Sequence, residues 1–132
     1  MPNPQNPKKV YDLEERTAKF GEDIIDFCKK VPKDILTIPL IGQLIRAGTS
    51  VGSNYCEADC AESRRDFEHK LGICKKEAKE SKHWLRMITK VISNLGGEAR
   101  VLWKEANELQ LIFILIVNKS RANKNKDSDI QN

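Results

Sequence analysis

The chain has 132 residues, 39% hydrophobic and 32% charged, with a formal net charge of +4. That size suits one domain, and the composition excludes a collagen-like, low-complexity or wholly disordered chain. Membrane spans need roughly 18 consecutive apolar residues, whereas the longest run here is the seven from Leu111 to Val117.

Residues 1–11 hold three prolines and end a basic pair, Lys8 and Lys9, with two further residues; they read as a flexible arm. From Asp12 the pattern turns helical. Leu13, Thr17, Phe20, Ile24, Phe27 and Val31 alternate spacings of 4 and 3, which places them on one face. Asp12 is the expected N-cap, with Glu15 in the capping-box position. Pro32 ends the helix, because the residue before a proline is pushed out of the helical region.

After a connector over 33–38, Pro39 suits the first turn of a second helix. Ile41, Leu44, Ile45, Gly48, Val51, Gly52 and Tyr55 carry that helix to about Cys60. Gly42, Gly48 and Gly52 each cost about 1 kcal/mol relative to alanine in a helix interior. Either these glycines permit close helix contact or the helix breaks near Gly48; close contact is the reading taken.

Ser63 is the N-cap of a third helix expected to run to Leu95. Phe67, Leu71, Cys74, Ala78, Ser81, Leu85, Ile88, Ile92 and Leu95 alternate spacings of 4 and 3, a bundle-type register. Gly96 and Gly97 are expected to stop it. A fourth helix from about Glu98 places Leu102, Ala106, Leu109, Phe113 and Ile116 in the same rhythm. The run LIFILIV over 111–117 has strand propensity, but the helical register enters it without a turn signal, so helix is expected. Residues 120–132 read as a disordered basic and polar tail. The whole is an all-α fold, an antiparallel up-down four-helix bundle over 12–119.

Charge is unevenly spread. Residues 63–95 hold nine basic and four acidic side chains, whereas 12–31 hold four basic and six acidic. On a helical projection, Arg65, Lys75, Lys76, Lys79, Lys82, Arg86 and Lys90 share about a third of the third helix's circumference, interrupted by Glu68. Such a stripe can follow a phosphate backbone by releasing its counterions, or it can be an ordinary solvated face. Another arc holds Ile73, Trp84, Met87 and Val91 with Glu77 and Glu80. Trp and Met are enriched at subunit interfaces, and a helix apolar all round at 111–117 leaves one side wet; self-association is expected, with the apolar members of this arc at the interface.

Signs of catalysis or metal binding are weak. Cys56 and Cys60, like His69 and Cys74, match no zinc spacing, and small core residue is the default reading of a cysteine. No nucleophile context surrounds His69 or His83, and Gly48–Gly52 lacks the Lys-Ser/Thr of a phosphate loop. Glu77 and Glu80 sit beside Lys76 and Lys79 and read as ion pairs. No enzyme activity, cofactor or metal is expected. The N-terminal MPNPQNPKK lacks the apolar stretch of a signal peptide, so a cytoplasmic chain with reduced cysteines is expected.

Residues 44–86 contain Leu44, Arg46, Ala47, Ser50, Val51, Gly52, Asn54, Glu57 and Ala58, then Ser63, Asp66, Phe67, Lys70 and Leu71, then Lys76, Glu77, Ala78, Glu80, Ser81, Trp84 and Leu85. This series closely resembles the four-helix-bundle proteins encoded in intervening sequences of bacterial 23S rRNA genes. The resemblance implies a ring-like homopentamer and no established enzymatic role. Distant relatives of that fold, accessory proteins of diversity-generating retroelements, bind nucleic acid and a reverse transcriptase through a basic pentameric surface.

Ser50 and Asn54 lie near the core face of the second helix, where an unpaired polar group costs about 1–3 kcal/mol. They are expected to bond Glu80, Ser81 or Arg46, and Arg46 with Glu57 is a candidate ion pair. The function expected is a non-catalytic oligomeric bundle binding RNA or DNA backbone through Arg65, Lys75, Lys79, Lys82 and Arg86. The alternative is a scaffold whose oligomer engages a protein partner.

Overall fold

The structure is a computed structural model that describes residues 12–131, with side chains described through residue 125. The arm expected over 1–11 lies outside the described residues. Four α helices make up the fold, α1 (Leu13–Lys30), α2 (Thr37–Asp59), α3 (Arg64–Val91) and α4 (Gly96–Gln131), with a 3-10 turn over Ser93–Leu95 and no strand among the described residues. The helices pack as the expected four-helix bundle. Each packs on its neighbour in sequence, and α1 meets α4 least.

Helix α1 begins where Asp12 accepts the backbone N–H of Glu15 at 3.2 Å and ends as Val31 turns extended before Pro32. All six predicted inward residues, from Leu13 to Val31, are buried. Helix α2 starts by a device that the sequence reading did not find. The Asp34 carboxylate accepts the backbone N–H groups of Leu36 and Thr37 at 2.8 and 2.9 Å, while Thr37 Oγ1 accepts that of Asp34 at 2.9 Å. These donors hold the Asp34 carboxyl below the usual carboxylate range. Pro39 sits in the first turn, as expected.

The helix does not break at Gly48. A Cβ there would lie 2.8 Å from Ile24 Cγ1, and one at Gly52 would lie 3.3 Å from the Thr17 carbonyl oxygen. Glycine is therefore what brings α2 against α1. Gly42 has nothing within 4 Å of a built Cβ and has no such role.

Helix α3 is capped by Ser63, which accepts the Asp66 N–H at 3.0 Å. It ends at Val91, four residues before the expected Leu95. Ile92 leaves helical geometry, and the 3-10 turn still delivers Leu95 to the core, 9% exposed. Gly96 and Gly97 open α4 instead of stopping α3; neither has a positive φ, the conformation that makes glycine a helix stop. The 28 residues of α3 span about 42 Å.

Helix α4 buries Leu102, Ala106, Leu109 and Phe113, with Ile116 half-buried. It continues past residue 119, where the sequence reading placed the end of the bundle, to Gln131. No Gly or Pro follows Gly97 to interrupt it, and alanine, lysine and arginine are good helix formers. No described helix is long and apolar enough to cross a membrane.

Candidate nucleic-acid interface

Because Leu71, Cys74, Ala78, Leu85 and Ile88 are buried, the 3.6-residue period turns Arg65, Lys75, Lys79 and Arg86 outward, and all four are exposed. Among the described residues, carboxylates pair with Arg16, Lys19, Lys29, Lys30, Arg46 and Lys70. None lies within ion-pairing distance of Lys75, Lys79, Lys82 or Arg86. Arg65 and Arg86 stand 21 residues apart on one helix, a stripe of about 31 Å. At its N-terminal end Arg65 and Lys76 share a recess with Arg121 of α4 and with Glu68, whose Oε1 is buried without a partner.

Lys82 differs from the other cations. It is half-buried between α3 and α4, donates to Asn107 Oδ1 at 2.9 Å, and lies 4.9 Å over the Trp103 ring. Its charge stays near the surface, but its chain is committed to holding α4. Beside it runs a groove whose walls add Arg100 and Lys104 from α4 to Arg86 from α3. The sequence reading missed these two because it projected the third helix alone. Arg100, Trp103 and Lys104 share one side of a helical projection, so α4 carried the signal.

Ile73, Trp84, Met87 and Val91, the expected oligomer contacts, are half-buried within the single chain. Trp84 packs against the core and meets the His83 ring edge-on at 4.7 Å. This arc faces α2, since Glu77 and Glu80 on it bond Arg46. The more exposed large apolar side chains are instead Val101, Trp103, Leu111 and Leu115 on α4, Ile35 and Leu36 between α1 and α2, Ile38 at the start of α2 and Ile25 on α1.

The model of the family described as 23S rRNA-intervening sequence protein matches residues 9–114. The chain belongs to that family. A solved structure from Bacteroides thetaiotaomicron, described as a protein with unknown function from the S23 ribosomal protein family, is 27% identical. It superposes with a TM-score of 0.71, covering 80% of this chain and 97% of its own. No curated protein matches the chain.

In this member of the 23S rRNA-intervening sequence protein family, the polar residues that carried the resemblance hold helices together. Arg46 on α2 reaches Glu77 Oε2 at 3.2 Å and Glu80 Oε2 at 2.8 Å on α3. Glu77 is only 8% exposed, so the guanidinium supplies the countercharge that lets a carboxylate sit there. The expected pairings of these glutamates with Lys76 and Lys79 do not form, since both lysines point outward. Nor does Arg46 pair with Glu57, which lies eleven residues along the same helix, about 16 Å away; Glu57 instead binds Lys70 Nζ at 2.7 Å across the α2–α3 turn.

Ser50 and Asn54 satisfy themselves within α2. The Ser50 hydroxyl donates to the Arg46 carbonyl at 2.6 Å, and the Asn54 amide donates to the Ser50 carbonyl at 2.9 Å. Ser81 likewise donates to the Glu77 carbonyl at 2.8 Å. All four cysteines are free. Burial pushes the Cys28 thiol up to about 11 and the Cys74 thiol up to about 12, so both stay protonated. Cys56 and Cys60 are exposed, contrary to the core reading. Among the described residues no group of three or more His, Cys, Asp or Glu is arranged to hold a metal ion.

Proposed function

We propose that the protein is a non-catalytic, self-associating bundle that binds RNA or DNA through its phosphate backbone, using the outer face of α3. The observation that carries this reading is that Lys75, Lys79 and Arg86 are exposed on one face of a single long helix, with no carboxylate partner. Arg65 extends the stripe, and Lys82 places its ammonium at its edge. Such contacts hold phosphates without reading bases. Assembly into a ring-like homopentamer, implied by the resemblance, is supported by Val101, Leu111 and Leu115, wet apolar side chains on one side of α4 that excludes Trp103. Sedimentation is expected to show an oligomer, and a monomer at all concentrations overturns that part.

The test of the main reading is fluorescence anisotropy with labelled structured RNA and duplex DNA at two salt concentrations. Binding is expected to weaken by about 0.9 log unit per phosphate contact for each tenfold rise in salt on duplex DNA. Changing Lys75, Lys79, Lys82 and Arg86 together to Glu is expected to abolish binding while helicity, followed by circular dichroism, is retained. Absence of binding at low salt, or a charge-reversed protein that binds as well as the parent, overturns it and directs attention to a protein partner.

A further inference from the structure

We infer that the groove between α3 and α4 receives an unpaired nucleotide of a single strand, its base stacked against Trp103 and its phosphates held by Arg86, Arg100 and Lys104. This rests on the nucleic-acid reading above and narrows it from backbone binding in general to single strands. The groove encloses about 440 Å³, within the roughly 300–1,000 Å³ that holds small ligands. Its lining includes Gly96, which has no side chain, and Ala99, with only a methyl, and these leave depth beside the indole. Trp103 is 41% exposed, unusual for so large an apolar group, and the Lys82 ammonium over its ring fixes its orientation.

The walls carry three cations and no carboxylate. A flat apolar ring among unpaired cations matches a ligand that is itself a flat ring joined to an anion. A nucleotide is that ligand. Duplexes hide their base faces in the stack, so only an unpaired strand can offer one to Trp103. Another groove, between α1 and α2, makes the contrast: it is lined by Asp12, Glu14, Glu15 and Glu22 with no aromatic ring, and would repel a phosphate. Arg86 belongs to both the groove and the α3 stripe, so the groove adjoins the stripe.

The experiment compares binding of a short labelled mixed-sequence RNA strand with the same strand annealed to its complement, using the full chain. Trp103→Leu is expected to weaken single-strand binding about tenfold or more, the loss of one stacked base, and to leave duplex binding unchanged. Trp103→Phe, which keeps a ring, is expected to retain most of the single-strand affinity. Equal losses on both probes, or no loss with Trp103→Leu, overturns the inference while the phosphate-binding reading stands. A parent protein that binds neither probe at low salt overturns both.

Discussion

Phe113→Ala is expected to cost the fold about 3–5 kcal/mol, the range for emptying a large aromatic site. The side chain is wholly buried, with its ring centroid 6.5 Å from that of Tyr55 on α2, and protein interiors are close-packed, so little can collapse into the space. For a domain whose total stability lies at about 5–15 kcal/mol, that is a large share. Urea unfolding followed by circular dichroism reads it as a lowered midpoint. Leu111→Ser and Leu115→Ser, in the same apolar run, are expected to shift the midpoint of the dissociated chain little, since these side chains are 52% and 66% exposed in it. A strong effect at all three positions would mean that the whole run is covered, by another copy or otherwise.

Gly48→Ala is expected to destabilise by up to about 2 kcal/mol net, although alanine is the better helix former. The propensity gain is about 1 kcal/mol, and overpacking a closed contact costs about 1–3 kcal/mol. Here the added methyl would meet the Ile24 Cγ1, Cγ2 and Cβ atoms at 2.8, 2.9 and 3.1 Å. Ile24 is wholly buried and β-branched, so it has no rotamer to move into; Gly48→Val is expected to cost more. Gly42→Ala, on the exposed side of the same helix, is expected to raise stability by up to about 1 kcal/mol. Opposite signs in the two urea midpoints are the check, and equal signs would refute the close α1–α2 contact as the reason for Gly48.

The inward register of every helix was legible from spacing, because burial repeats every 3.6 residues and leaves a periodic trace. The caps at Asp12 and Ser63 were legible too, since one side chain and one nearby N–H decide them. The end of α3 was not. Ile92 keeps the apolar rhythm while its backbone departs from the helix, so pattern and conformation part company there. Ion pairing was the least legible: Arg46 and Glu77 are 31 residues apart, and nothing local ties them. The α3 stripe could be seen as a stripe. Its junction with Arg100, Trp103 and Lys104 needed the pairing of two helices, which single-helix periodicity does not contain.

The four sides of the bundle are closed by different means. Apolar side chains and glycine contact join α1 to α2, and apolar packing supplemented by the Arg46 and Lys70 ion pairs and the Lys82–Asn107 bond joins α2 to α3 and α3 to α4, while of the four sides α1 meets α4 least and is laced to it by charge. Arg16 grips Glu105 at 2.7 Å and Glu108 at 3.3 Å, and Lys30 reaches Glu98 at 3.0 Å. The exposed Lys30–Glu98 pair contributes at most about 1 kcal/mol and fades as salt screens it, whereas the part-buried, bidentate Arg16–Glu105 pair is the firmer of the two. The α1–α4 side is therefore the one whose closure depends most on charge, and added salt is expected to loosen it before the three sides closed mainly by apolar contact.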